Sequence, residues 1–126
     1  MSRTHAVVWT DHQTAQVLQF DAEHVQAQNI RAHNHYTRQH HSGVRSEHEF
    51  FGEVCSALGS VDEVLVTGSK TAIEDFRHYA QKHRPHTAAR VAAYEVVDHP
   101  TENQLVALAR RYFLKHDRME GVTNPF

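Results

Sequence analysis

His5-Ala6-Val7-Val8-Trp9-Thr10-Asp11-His12-Gln13-Thr14-Ala15-Gln16-Val17-Leu18-Gln19-Phe20-Asp21-Ala22-Glu23-His24-Val25-Gln26-Ala27-Gln28-Asn29-Ile30 consists of apolar-rich runs cut by two short polar turns. The first run, 5–10, is dense in β-branched and aromatic residues and reads as a strand buried on both faces. Asp11-His12-Gln13 and Asp21-Ala22-Glu23 are the turns. The run 14–20, apolar at 15, 17 and mostly beyond, and the run 24–30, which alternates roughly with period two, read as the second and third strands. Turns this short join antiparallel neighbours, so residues 5–31 predict a meander.

Residues 32–45, Ala32-His33-Asn34-His35-Tyr36-Thr37-Arg38-Gln39-His40-His41-Ser42-Gly43-Val44-Arg45, have almost no apolar content. A connection of this length inside a compact domain is usually functional or mobile. Ser46-Glu47-His48-Glu49 then matches a capping box with Ser46 as N-cap. Phe50, Phe51, Val54, Ala57 and Leu58 follow at helical spacing, and Gly59 supplies the stop. Cys55 falls in this apolar pattern and reads as a core residue.

Val61 and Val64-Leu65-Val66 predict a buried fourth strand, and Thr67-Gly68-Ser69-Lys70 a tight strand-to-helix turn. Thr71 and Glu74 form a second capping box. Ala72, Ile73, Phe76, Tyr79 and Ala80 make one apolar stripe, which Pro85 ends. Residues 88–97 read as a fifth strand, broken by Asp98-His99-Pro100. Thr101 and Gln104 form a third capping box ahead of Leu105, Leu108, Ala109, Tyr112 and Phe113. The expected order is β-β-β-α-β-α-β-α, with a right-handed crossover and parallel pairing in the second half. It gives an α/β domain over 1–118, a five-stranded mixed sheet with helices covering it, and a tail at 119–126. That order resembles the ribonuclease H-like architecture.

The 126 residues fit one domain, large enough to bury a core without metal or disulfide staples. Formal net charge is -2 with histidines neutral, so polyanion affinity would have to come from a local patch. Histidine is the outlier, at 13 residues, which makes the charge sensitive near pH 6. One cysteine excludes an internal disulfide and suits a reducing compartment. The N-terminal run is too short for a signal peptide, and no stretch approaches membrane-spanning length. A cytoplasmic setting without a membrane partner is expected.

Four chemistries bear on these residues. Two-metal nuclease chemistry needs carboxylates converging on one sheet edge. Asp11, Glu49, Glu53 and Asp98 complete no such set, and Asp11 is more simply a turn former and Glu49 a cap. His33, His35, His40 and His41, with His48 close by, offer imidazoles suited to zinc, copper or nickel, at no known finger spacing. Arg31, Arg38 and Arg45 recur through a stretch that holds no Asp or Glu from 31 to 46. Arginine forks match phosphate oxygens, and Tyr36 offers a face on which an unpaired base stacks. Nucleophilic catalysis finds no support, since there is no Gly-x-Ser-x-Gly elbow.

Ala6-Val7-Val8-Trp9-Thr10-Asp11-His12-Gln13-Thr14-Ala15, with Val64-Leu65-Val66-Thr67-Gly68-Ser69 leading into Ala72-Ile73-Glu74-Asp75-Phe76, resembles the central domain of archaeal and eukaryotic class-1 release factors and of Pelota. Small bacterial proteins described as translational machinery components are similar. The resemblance covers about residues 5–115. In release factors, the resemblance implies, the segment between the third strand and the first helix carries a Gly-Gly-Gln motif that promotes ester hydrolysis. Here the matching segment runs Arg38-Gln39-His40-His41-Ser42-Gly43-Val44-Arg45-Ser46. It has one glycine and no following glutamine, so that catalytic assignment does not carry over. A lone central domain, with no stop-codon-reading domain expected before it, is not expected to read codons either.

The expectation is therefore a non-catalytic, translation-factor-like protein associated with the ribosome or ribosomal RNA, with rescue or hibernation as implied roles. Arg31, Tyr36, Arg38, His40, His41 and Arg45 would contact RNA, and Gly43 would let the backbone bend. Two alternatives stand beside it. One is a metal-binding protein using His33, His35, His40 and His41, with zinc or nickel, in the His-rich segment 33–48. The other is a structural module that forms homo-oligomers through an open edge strand.

Overall fold

In the computed structural model, which describes residues 4–21, 24–32 and 43–119, the run His5–Thr10 forms β1 and is buried throughout. β2 (Thr14–Phe20) pairs antiparallel with β1, and β3 (Val25–Arg31) antiparallel with β2. Helix α1 (Gly43–Ala57) leads to β4 (Glu63–Gly68), which lies parallel to β1. Helices α2 (Lys70–His83) and α3 (Pro85–Arg90) precede β5 (Val91–Val96), parallel to β4, and α4 (Glu102–Met119) follows. The sheet order is β3-β2-β1-β4-β5. This is the expected ribonuclease H-like α/β arrangement, a mixed five-stranded sheet with helices covering it. Met119, expected to open the tail, still belongs to α4, and the rest of that tail, 120–126, lies outside the described residues.

Period-two alternation divides β1 between two cores. Ala6 and Val8 face one layer, where Phe50, Phe51, Val54 and Leu58 of the α1 region meet Ile73, Phe76 and Ala80 of α2. Val7 and Trp9 face the other, where Leu105, Val106, Ala109 and Phe113 of α4 pack with Leu18 and Phe20. Helices on both sides explain why β1 and β4 read as continuous apolar runs. Each fully buried phenylalanine side chain contributes roughly 1.5–3 kcal/mol, so Phe50, Phe51, Phe76 and Phe113 are the main clamps. By contrast, in β3 Ile30 alone is buried, as befits an edge strand with solvent on one side.

The turn chemistry holds in part. Thr101 N–H donates to Gln104 Oε1 at 2.9 Å and Gln104 N–H to Thr101 Oγ1 at 3.2 Å, a reciprocal capping box as expected. Gly59 follows the first helix, with its N–H on the Ser56 carbonyl at 3.2 Å. The other two boxes fail. Helix α1 begins at Gly43, so Ser46 is already inside it. Helix α2 is preceded by Ser69, which makes no side-chain cap, and Thr71 lies within the helix.

Pro85 does not simply terminate α2. It opens α3, where its missing N–H costs nothing and its fixed φ suits the first turn. The fifth strand consequently starts at Val91 rather than Ala88. Gly68 closes β4 with φ +152°, and a Cβ there would run into the Thr10 carbonyl of the neighbouring strand. Among the described residues, no helix is long and apolar enough to cross a membrane.

Candidate functional site

Asp11 shapes the corner at the carboxyl end of β1. Its Oδ1 accepts from Gln13 N–H at 2.8 Å, Thr14 N–H at 2.6 Å and the Thr14 hydroxyl at 3.1 Å. This is an Asx turn, in which the side chain mimics a backbone turn. Burial by itself would raise the Asp11 carboxyl, but the Gln13 and Thr14 donors, with His12 nearby, outweigh it and hold it below its ordinary range. The expected role of Asp11 as a turn former is therefore what the structure shows.

The turn presents His12 to two helices. His12 Nδ1 lies 2.9 Å from Glu47 Oε2 on α1 and 3.8 Å from Asp75 Oδ2 on α2. On the other side of the ring, Nε2 and Thr71 Oγ1 share a hydrogen bond of 2.8 Å. The His12 side chain is 40% exposed and that of Glu47 25%, so the cluster is reached by solvent while its ring is held on both sides. Its position follows from the topology. β1 and β4 run parallel and end together, and in open α/β sheets the carboxyl ends of the strands are where ligands gather.

The same corner anchors both flanks of the His- and Arg-bearing segment. On one side, Arg31 is paired opposite Thr14, and Ala32 N–H donates to the Gln13 carbonyl at 2.7 Å. On the other, α1 begins at Gly43 and is tied back to the turn through Glu47. Arg31 is an exposed residue at the end of β3. Gly43 is the first residue of α1 and Arg45 lies in its first turn, so Gly43 is helical rather than a bend in a loop. Tyr36, Arg38, His40 and His41, and with them His33 and His35, lie outside the described residues.

A second feature runs along α1 and α2. His48, Tyr79 and His83 form a ring trio, with centroids 5.2 Å apart for His48–Tyr79 and 5.0 Å for Tyr79–His83. They line an open groove of about 1120 Å³ together with Arg84 and Ile30. Gly52 permits the close approach, since a Cβ there would stand 3.0 Å from the Tyr79 hydroxyl. Cys55, deeper in the same layer, is buried as expected, and burial pushes its thiol up to about 11 despite Arg84 and Thr87.

No family model matches the chain, and no curated protein matches its sequence. Solved structures do match. Pelota from Archaeoglobus fulgidus superposes over 96% of the chain with a TM-score of 0.68 at 16% identity. The chain has a Pelota-like fold. An archaeal translation termination factor, aRF1, matches over 94% with a TM-score of 0.59 at 13% identity. Dom34 from S. cerevisiae, a translation termination-like factor involved in RNA quality control pathways and interacting with Hbs1, matches over 92% with a TM-score of 0.54 at 11% identity. The chain spans 36% of that Pelota, 41% of aRF1 and 35% of Dom34, so it corresponds to one part of each. In this Pelota-like frame the His12 corner lies at the carboxyl end of β1, beside the end of β3.

His12, Glu47, Thr71 and Asp75 are not recognisable as a set in the sequence. His12 stands there only as a turn residue, and Glu47 only as the interior of a supposed cap. The usable signal is positional: a histidine just past the first strand, and carboxylates near the starts of two helices that a β-β-β-α-β-α order brings to that same end.

Proposed function

We propose that this chain is a translation-factor-like protein that acts in the cytoplasm by binding the ribosome rather than by catalysis. Segment 33–42 and the start of α1 would lie against ribosomal RNA. The observation that carries this reading is the anchoring of both flanks of an acid-free, arginine-bearing segment at one corner of a fold shared with Pelota and aRF1. Arg38, His40, His41 and Arg45 supply charge-assisted contacts to phosphate, and Tyr36 a stacking surface. Arg31, exposed at the end of β3, extends the basic line to the sheet. The missing Gly-Gly-Gln motif argues for occupancy of a ribosomal site over ester hydrolysis, which suits rescue or hibernation.

Ribosome co-sedimentation across a salt series tests the proposal. Each phosphate contact adds roughly 0.7–0.9 to the slope of log affinity against log salt. Replacing both Arg38 and Arg45 by alanine is expected to flatten that slope by about 1.5 and to leave the melting temperature unchanged. A double variant that pellets with ribosomes as well as the parent at every salt concentration would refute it.

A further inference from the structure

We infer that His12, Glu47 and Asp75 form a binding site for one divalent cation of the manganese–zinc kind. One imidazole nitrogen and two carboxylate oxygens from three separate elements lie within 4.8 Å of one another. The inference does not depend on the ribosome proposal, because none of its ligands belongs to segment 33–42.

The geometry is close to a coordination sphere without being one already. Metal–nitrogen and metal–oxygen bonds of about 2.0–2.2 Å place neighbouring tetrahedral ligands roughly 3.4 Å apart. The His12–Glu47 separation is 2.9 Å and the His12–Asp75 separation 3.8 Å, which bracket that figure, and all three donor atoms lie within 4.8 Å of one another. Glu47 sits within α1 and Asp75 within α2, and both helices pack through buried phenylalanines, so the donors are carried on rigid elements.

Thr71 gives the ring its freedom to serve. Without a cation, Nδ1 lies 2.9 Å from Glu47 Oε2 and Nε2 shares a hydrogen bond with the Thr71 hydroxyl. With one, the ring's proton sits on Nε2 and donates to Thr71 Oγ1, and the Nδ1 lone pair turns to the metal. A hydroxyl works as either donor or acceptor, so the 2.8 Å contact orients the ring in both forms. Holding the far nitrogen of a ligating histidine is the usual support for such a ligand. Two carboxylates and a neutral imidazole together carry the charge that a dication cancels. Half-exposed Asp75, 54% accessible, leaves the remaining positions to water.

The mixed donor set selects the probe. Oxygen-rich sites take manganese, whereas histidine clusters favour nickel, copper and zinc. Manganese therefore reports on this corner with little interference from His33, His35, His40 and His41. The experiment titrates tag-free full-length protein with manganese at about pH 7.5, above the ordinary histidine range, following free ion by electron paramagnetic resonance, with zinc calorimetry in parallel. One saturable equivalent of manganese is expected, weakened at least tenfold in Asp75→Asn and in Glu47→Gln. The fourfold His33, His35, His40 and His41→Ala variant is expected to bind manganese as the parent does. Melting curves of the metal-free variants check that each is folded, and Asp75→Asn alters an exposed side chain only. No saturable manganese binding, unchanged affinity in both carboxylate variants, or loss confined to the fourfold variant would each overturn the inference. A protein that binds ribosomes yet fails this titration refutes the cation site alone.

Discussion

Replacing Asp11 by alanine should destabilise the domain at neutral pH and somewhat less in acid. Three donors converge on one carboxylate oxygen, at 2.8, 2.6 and 3.1 Å. A hydrogen bond to a charged acceptor contributes about 1.5–3 kcal/mol when well buried. Asp11 is half-exposed, so water competes for all three donors and screens the charge. The loss is then closer to that of a helix cap, about 1–2 kcal/mol. For a domain of this length that lowers the melting temperature by roughly 3–8 °C. Asparagine keeps the acceptor oxygen and should recover more than half of the loss.

The pH dependence supplies the control. The folded-state pKa of Asp11 lies below its ordinary value, so its ionic contribution is complete above pH about 4 and disappears as pH falls through the folded value. Urea melts of the parent and Asp11→Ala at about pH 7 and about pH 3 should show the gap narrowing in acid. A gap of equal size at both pH values would refute the assignment of the stabilisation to the ionised carboxylate. A variant as stable as the parent at neutral pH would refute the turn's contribution altogether.

Gly68→Ala should cost more than about 2 kcal/mol, because φ +152° is a region nearly closed to other residues and the added Cβ meets the Thr10 carbonyl; a chemical melt measures it, and a loss under about 0.5 kcal/mol would contradict the close approach of the β1 and β4 ends. Cys55, buried and raised to about 11, should react with a disulfide reagent at about pH 8 only as fast as the domain opens, and rapid stoichiometric labelling of native protein would count against its placement. Because its folded pKa is raised above the ordinary 9.0, its contribution to stability is complete below pH about 9 and falls away as pH climbs towards 11, a decline that Cys55→Ala should lack.

The meander and the parallel half are legible in the sequence because their apolar periods are short and uninterrupted. β1 and β4 are continuous runs, and Phe50, Phe51, Ile73 and Phe76 recur at helical spacing. Boundaries are less so. Ser46 and Glu49 satisfy the cap pattern, yet the helix has already started at Gly43, since a polar turn can extend a helix that the apolar stripe does not mark. Arg84-Pro85 reads as a stop, but a proline is equally at home in a first turn, and α3 is the result. The His12 cluster is hidden for another reason. Glu47 is 35 residues from His12 and Thr71 is 59, so no local spacing signals them, and the tertiary fold alone brings them together.

β1 precedes the other four strands of its sheet in the chain and lies at the sheet's centre, yet the Thr67 hydroxyl that bonds the Val8 carbonyl at 2.7 Å comes 59 residues later. During synthesis the meander must therefore wait with one flank of its most apolar strand open. Such an unpaired edge invites pairing with other nascent chains. Folding of this protein should consequently be limited by the long-range closure of β4 onto β1, a step slowed by the length of chain that separates the two strands.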